Sequence, residues 1–378
     1  MLDTLSWGGA QKMQLFLVQS LCPLGGDVTI ISFDAEPDSP LPAQLEAAGA
    51  RLVTFPFPRF FSPISFFNLV KFLRRERFDF VHGYLTYSNI LGSLAARLSG
   101  TPFIGSFRNA GYDPKRINAR RAKMEAFCLR HFADGILANG HAVAEFGHRQ
   151  VGADVSIDVL PNAVDATLVP QLSRDETQSL RRELIGDPSR TLILSVGRLT
   201  PQKGFDHLLK AFARVHEKHP NAALVIAGDG RQSESLLAQI DSLDLDGHAF
   251  LLGQRDDVPR LLAVADVYVN SSLMEGTPVS VLEAMSTGLP IVATSVGDTP
   301  YLLESDTGIL VPPAQPEKMA DVLIGLLSDS ARRDALGKSA RARAQKDYSP
   351  QAWTCNLLKF YSKFTPSAKP ILQKVENV

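Results

Sequence analysis

Glu275-Gly276-Thr277-Pro278-Val279-Ser280-Val281-Leu282-Glu283 decides how this chain is read. The stretch stands between two apolar runs, residues 263–269 and 289–293, which read as buried parallel strands. The pattern between them predicts a helix over 278–286. Pro278 suits its first turn, where a missing N–H goes unused. Val279, Leu282 and Met285 would face the core. Glu275 then lies in the loop ahead of the helix and Glu283 one to two turns into it. A helix N-terminus offers free N–H groups and the positive end of a dipole, which favour an anion such as a diphosphate. A carboxylate beside it can accept hydrogen bonds from sugar hydroxyls. Gly276, Thr277, Pro278 and Val279 therefore line a candidate pocket for a nucleotide sugar.

The flanking sequence fits the same chemistry. Upstream, residues 191–196 read as a buried strand that ends in Gly197, with Arg198 and Lys203 in the loop before a helix over 205–216. Two cations five residues apart at the mouth of a strand can converge on a diphosphate, Arg as a planar fork and Lys as a point charge. Residues 224–227 form the next strand and lead into Gly228-Asp229-Gly230. Gly253-Gln254-Arg255 follows a further strand, and Asp257 reads equally as a helix N-cap or a ligand contact. Downstream come a strand at 291–294, Gly297-Asp298-Thr299-Pro300-Tyr301, a late strand at 309–312 and closing helices over 317–327 and 331–345.

Glu-Gly-x-Pro with a second Glu eight positions after the first resembles the signature of family 4 retaining glycosyltransferases, which have the GT-B fold. Gly197-Arg198 followed by Lys203-Gly204 resembles the same family's diphosphate loop. The resemblance implies roles. Arg198 and Lys203 would neutralise the leaving diphosphate. Glu275 and the amides of Gly276 and Thr277 would orient the sugar, and Glu283 would hold the ribose. Gly197 and Gly228 would wall the nucleotide pocket, and Arg255 would lie in the loop that lines the base. No metal and no cofactor beyond the donor itself is implied. Asp298 and Tyr301 depart from the family's usual Gly-Gly-x-Pro-Glu, so an unusual donor preference is expected.

The first half resembles the family more weakly. Trp7-Gly8-Gly9-Ala10-Gln11 resembles a Gly-Gly-Ala-Glu loop near the donor phosphates and acceptor. In an α/β domain this loop should follow a buried strand, yet only five residues precede Ser6. Either the strand is a stub or the start lies upstream, and the second is the expectation. Strands are expected at 27–32, 51–55, 78–82, 102–107 and 132–139, with helices at 40–48 and 86–98. Where many members carry a His and an Asp, this chain has Arg108-Asn109. Arg108 can contact a sugar or phosphate, or pair with an acid of its own domain. His82, His131, His141 and His148 lack metal-ligand spacing and read as packing or surface residues. Asn162-Ala163-Val164-Asp165 resembles the exit into the interdomain linker.

Residues 55–77 combine many aromatics with Lys71, Arg74, Arg75 and Arg77, and residues 115–123 add further cations. The stretch reads either as a core-facing helix with a solvated basic end or as a segment lying at a membrane interface. No run of 18 apolar residues marks a span, and the first residues lack a secretory pattern. A net charge of −1 gives no case for nucleic acid, and three scattered cysteines fit reduced thiols in the cytoplasm.

The expectation is an α/β protein of two Rossmann-like, doubly wound domains facing a central cleft: residues 1–165, residues 166–348 that bind the donor, and residues 349–378, a helix returning to the first domain and then a disordered tail. The function implied is a retaining, metal-independent glycosyltransferase of cell-envelope or polysaccharide biosynthesis, cytoplasmic or at the inner membrane face, with a nucleotide sugar and a glycan or lipid-linked acceptor as partners. The rivals are an epimerase or phosphorylase on the same fold, which would consume donor without such an acceptor, and a catalytically silent sugar-nucleotide-binding protein.

Overall fold

Alternating strand and helix periods divide the chain into unit 1, Met1–Ala163 with Pro350–Val378, and unit 2, Val164–Ser349. The computed structural model describes residues 1–5, 9–34, 39–57, 62–108 and 119–376. Gly8 and residues 115–118 of the basic stretch lie outside the described residues.

Unit 1 runs α1 (Gly9–Leu21), β1 (Thr29–Ser32), α2 (Leu41–Ala47), β2 (Arg51–Thr54), α3 (Pro63–Glu76), β3 (Val81–His82), α4 (Thr86–Ser99), β4 (Phe103–Phe107), α5 (Ala119–Phe132), β5 (Gly135–Ala138), α6 (His141–Val151) and β6 (Asp158–Val159). β1 pairs with β2, and β3 to β6 pair in order, all in parallel. Met1 and Leu2 join the two sets. The Leu2 amide donates to Ile31 O at 2.9 Å, the Phe33 amide to Leu2 O at 3.2 Å, and the Tyr84 amide to Met1 O at 3.2 Å. The spatial order is therefore β2-β1-(Met1-Leu2)-β3-β4-β5-β6, a doubly wound sheet with a two-residue stub at its centre. A cavity of about 290 Å³ continues the line of the stub toward the amino ends of β1 and β3, bounded by Val28, Thr29, Phe80 and Val81 among others.

The helices cover both faces. α3, α4, α5 and α6 bury Leu69, Leu73, Ala95, Leu129 and Val143 in one core. Close approach needs Gly105 in β4: a Cβ there would stand 2.2 Å from Leu129 Cδ2. The aromatic stretch resolves by helical spacing. Phe66, Phe72 and Leu73 are buried, whereas Ile64 and Phe67 remain 76 % and 59 % exposed.

Unit 2 contains α7 (Arg174–Ile185), β7 (Thr191–Val196), α8 (Phe205–Lys218), β8 (Ala222–Ala227), α9 (Ser233–Ser242), β9 (Ala249–Leu251), α10 (Val258–Val264), β10 (Val267–Asn270), α11 (Val279–Thr287), β11 (Ile291–Thr294), α12 (Thr299–Leu302), β12 (Ile309–Val311), α13 (Pro316–Leu327) and α14 (Ser330–Asp347). Its strand order is β12-β11-β10-β7-β8-β9. The winding starts at β7 and reverses between β7 and β10. In such sheets ligands bind outside the carboxyl ends of the strands at that reversal.

The chain then returns to unit 1 with α15 (Pro350–Tyr361) and α16 (Ala368–Glu376). α16 corrects the expected disordered tail. Ala368 is buried, Ile371 and Leu372 pack against the core that contains Leu17, Leu41 and Trp353, and Lys374 Nζ donates to Leu24 O at 3.0 Å. The polar composition of the tail hid an apolar stripe, which becomes visible only once a surface exists for it to cover.

Candidate functional site

The glycines of unit 2 form a backbone floor at the carboxyl ends of β7 and β8. The Gly197 amide donates to Ala227 O at 3.0 Å, and the Gly228 amide to Gly253 O at 2.8 Å. Gly228 has φ +150°, and a Cβ on it would stand 1.9 Å from Gly197 O. Only glycine fits there, because both the backbone angle and the approach exclude a side chain.

Lys203 closes the turn after β7. The stem of Lys203 approaches Gly197, where a Cβ would meet its Cδ and Cε at 3.3 Å. Its Nζ donates to Glu275 Oε1 at 2.6 Å, and the two side chains are 20 % and 10 % exposed. Ser272 Oγ donates to the same carboxylate oxygen at 2.5 Å. Glu275, in the loop after β10, is thus held by one cation, one hydroxyl and, at 3.4 Å, the Asn270 side-chain amide. Arg198 is exposed, and among the described residues no carboxylate pairs with it.

The loop before α11 is fixed from beneath. Asp298 is buried; its amide donates to Gly276 O at 2.9 Å, and Thr277 Oγ1 donates to its Oδ2, also at 2.9 Å. The first intrahelical bond runs from the Val281 amide to Pro278 O at 3.1 Å. The amides of Val279 and Ser280 precede it and, among the described residues, have no backbone acceptor, as at any helix start. Glu283 lies on α11, half-buried. Tyr268 of β10 stands beneath both acids: burial first, then the carboxylates of Glu283 and Glu275, push its hydroxyl above the usual phenol range. Sequence reading missed Tyr268 and the Asp298–Thr277 pair, since a strand aromatic reads as core and the pair joins residues 21 apart.

Arg255 is held rather than free. It makes two hydrogen bonds of 2.8 Å to Asp257 and approaches Glu183 at 3.6 Å. The guanidinium holds Asp257 below the usual carboxylate range. Asp257 occupies the N-cap position of α10 but makes no capping hydrogen bond.

The structure therefore brings together Gly197, Lys203, Gly228, Glu275 and Gly276 through direct contacts, with Arg198, Thr277, Pro278, Val279 and Glu283 on the adjoining loops and helix. Gly9 opens α1 in unit 1. Arg108 also belongs to unit 1 and follows β4, its guanidinium carbon 4.3 Å from the centroid of the Tyr84 ring. Nearby, His82 is buried, with Nε2 2.6 Å from Ser106 Oγ and Nδ1 2.9 Å from Tyr361 Oη. Burial, reinforced by Arg108, keeps its imidazole well below the usual range and so neutral. Among the described residues no three His, Cys, Asp or Glu side chains cluster as metal ligands.

Comparison with known proteins identifies the family. Residues 8–163 match the family described as glycosyl transferase 4-like domain, and residues 176–343 match glycosyl transferases group 1. An Escherichia coli UDP-Gal:alpha-D-GlcNAc-diphosphoundecaprenol alpha-1,3-galactosyltransferase is 28 % identical over 276 residues, 70 % of each chain. An N-acetyl-alpha-D-glucosaminyl L-malate synthase of Bacillus anthracis is 26 % identical over 290 residues, 74 % of each. The crystal structure of Anabaena HepE in complex with UDP superposes with a TM-score of 0.84 at 21 % identity, covering 96 % of this chain and 98 % of that one. The chain belongs to the GT-B glycosyltransferases that act on nucleotide sugars, with a glycosyl transferase 4-like domain followed by a group 1 domain.

Proposed function

We propose that the chain is a retaining, metal-independent hexosyltransferase that moves a sugar from a nucleotide-diphosphate donor to a glycan or lipid-linked acceptor of the cell envelope. The observation that carries this reading is the Lys203–Glu275 pair, 2.6 Å long, at the reversal point of the unit 2 sheet and beside the unused amides of α11. Arg198 and Lys203 take the diphosphate. Glu275 and the Gly276 amide orient the sugar, and Glu283 holds the ribose. The bond from the anomeric carbon to the diphosphate breaks as the acceptor oxygen bonds to the same face, and the acceptor's proton passes to the departing phosphate oxygen. The cations stabilise the charge that develops, often the largest single catalytic contribution. The Escherichia coli relative is named for a UDP sugar and a diphosphate-linked lipid acceptor, and HepE was crystallised with UDP, which favours a uridine donor and an acceptor of that class here.

Thermal unfolding with UDP, GDP, ADP and dTDP tests the pocket. One nucleotide at about 100 times its Kd should add about 2.7 kcal/mol, a rise of roughly 5–10 °C for a unit of this size. Glu283→Ala should lose that rise. A wild type unmoved by every nucleotide would overturn the reading.

The same proposal places the protein at the inner face of an anionic membrane. α3, α4 and α5 pack side by side on one face of the unit 1 sheet. Their outer surface exposes Ile64, Phe67 and Phe127 together with Lys71, Arg74, Arg75, Arg120 and Lys123. Apolar side chains among cations suit an acidic lipid surface. Among the described residues no helix is long and apolar enough to cross a membrane. Ile64→Ser with Phe67→Ser leaves the core intact and should reduce sedimentation with phosphatidylglycerol vesicles at least several-fold. Equal sedimentation of variant and wild type would remove the membrane proposal. Phe66 is unsuitable for this experiment because it is buried.

A further inference from the structure

The segment that follows β11 forms a bed for the loop that leads into α11. Thr294 Oγ1 donates to Ser272 O at 2.6 Å, the Asp298 amide to Gly276 O at 2.9 Å, and Thr277 Oγ1 to Asp298 Oδ2 at 2.9 Å. Gly297 crosses directly beneath. Its φ is +53°, and a Cβ on it would stand 2.4 Å from Glu275 O and 2.7 Å from Gly276 O. Asp298 is 1 % exposed and Thr277 8 %, so water does not compete for the bond between them. One residue therefore grips two successive peptides of the loop, Gly276 through its amide and Thr277 through its carboxylate. A glycine at 298, as in the Gly-Gly-x-Pro-Glu pattern, could make the first of these bonds but not the second. The cations assigned to the diphosphate stand elsewhere, in the loop after β7, and Glu283 stands within α11.

We infer that Asp298 is a positioning residue for the transferred sugar. Through Thr277 it fixes the direction of the Gly276 and Thr277 amides, while the nucleotide contacts are set by other segments. The inference rests on the transferase reading, which assigns those two amides to the sugar. Groups that orient a ligand lose their effect when displaced by about 1 Å, and a side chain bonded from below prevents such a displacement.

Calorimetric titration of the full chain tests this, with UDP, UDP-glucose and UDP-galactose, and with GDP and GDP-mannose alongside. In Asp298→Ala the Kd of the free nucleotide should stay within about twofold of wild type while that of its sugar conjugate rises about tenfold, the loss of one hydrogen bond and of the geometry it holds. Thr277→Val should behave in the same way, and it reads the same bond if Asp298→Ala does not fold. The two changes combined should weaken the conjugate no more than either alone, because they break a single interaction. Asp298→Asn keeps an oxygen for the Thr277 hydroxyl and should restore most of the conjugate's affinity. A wild type that binds none of the five ligands overturns the transferase reading and this inference with it. A wild type that binds, with variants that lose free nucleotide and conjugate equally, overturns this inference alone, because a residue needed only for the fold of unit 2 would act so. Unchanged conjugate binding in Asp298→Ala overturns it as well.

Discussion

Lys203→Met is expected to lower donor turnover by about 10²–10³-fold, the loss of about 3–4 kcal/mol that follows removal of one preorganised charge donor from a developing anion. The geometry also predicts a second effect. Lys203 Nζ and Glu275 Oε1 are 2.6 Å apart with both side chains largely covered. Removing the cation leaves a poorly solvated carboxylate with only neutral donors, the Ser272 hydroxyl at 2.5 Å and the Asn270 amide at 3.4 Å. Breaking a pair of this kind costs more than the pair contributes, because the remaining charge stays desolvated. The ligand-free protein should therefore melt several degrees lower. Adding Glu275→Gln removes the unpaired charge and should restore most of the Tm while leaving turnover near zero. Nucleoside diphosphate release and a melting curve on the two variants check both parts. Normal turnover in Lys203→Met would refute the assigned role, and a double variant less stable than the single would refute the electrostatic account.

Gly228→Ala is expected to be the most damaging single methyl group in unit 2. Its Cβ would stand 1.9 Å from Gly197 O, and the φ of +150° is open in practice only to glycine. Overpacking and backbone strain together come to about 3–5 kcal/mol, or on the order of 10 °C in Tm for this unit. The strain falls on the same peptide that carries Gly197 into Arg198, so nucleotide binding should be lost even where the protein remains folded. Gly325→Ala is the control: it lies on α13 with no atom within 4 Å of the added Cβ, and it should leave binding unchanged. Equal melting of the Gly228 and Gly325 variants would contradict the close approach of β7 and β8.

Periodicity alone made most of the fold legible. The buried runs that became β7, β8, β10 and β11 are mainly apolar, as strands covered on both faces must be, although the run read from 263 begins in α10 and its strand starts only at Val267; the helix after Glu275 was read to within a residue of α11. The grouping of the unit 2 candidate residues was legible for the same reason. Gly197, Arg198, Lys203 and Glu275 sit at strand ends and helix starts, where residue type and spacing reflect local backbone needs. Where the reading went astray, local pattern carried no information. In residues 365–378 a polar tail concealed α16. In residues 55–77 the question was which aromatic faced the core, and the register of α3 buried Phe66 beside an exposed Phe67.

The sequence by itself determined the two parallel sheets, the glycine-rich strand-end loops of unit 2 and the family they belong to, because each of those is written within a window of some ten residues. The tertiary structure decided the pairings. Lys203 meets Glu275 across 72 positions, and His82 meets Tyr361 across 279. Asp298 supports Thr277 from the following strand's loop, and Leu2 joins two halves of a sheet whose strands lie far from it in the chain. Arg108 belongs with these. That it would be an arginine was plain; that its guanidinium would lie over the Tyr84 ring was fixed only when distant segments closed around it, because burial and contact are properties of the packed chain and not of its local order.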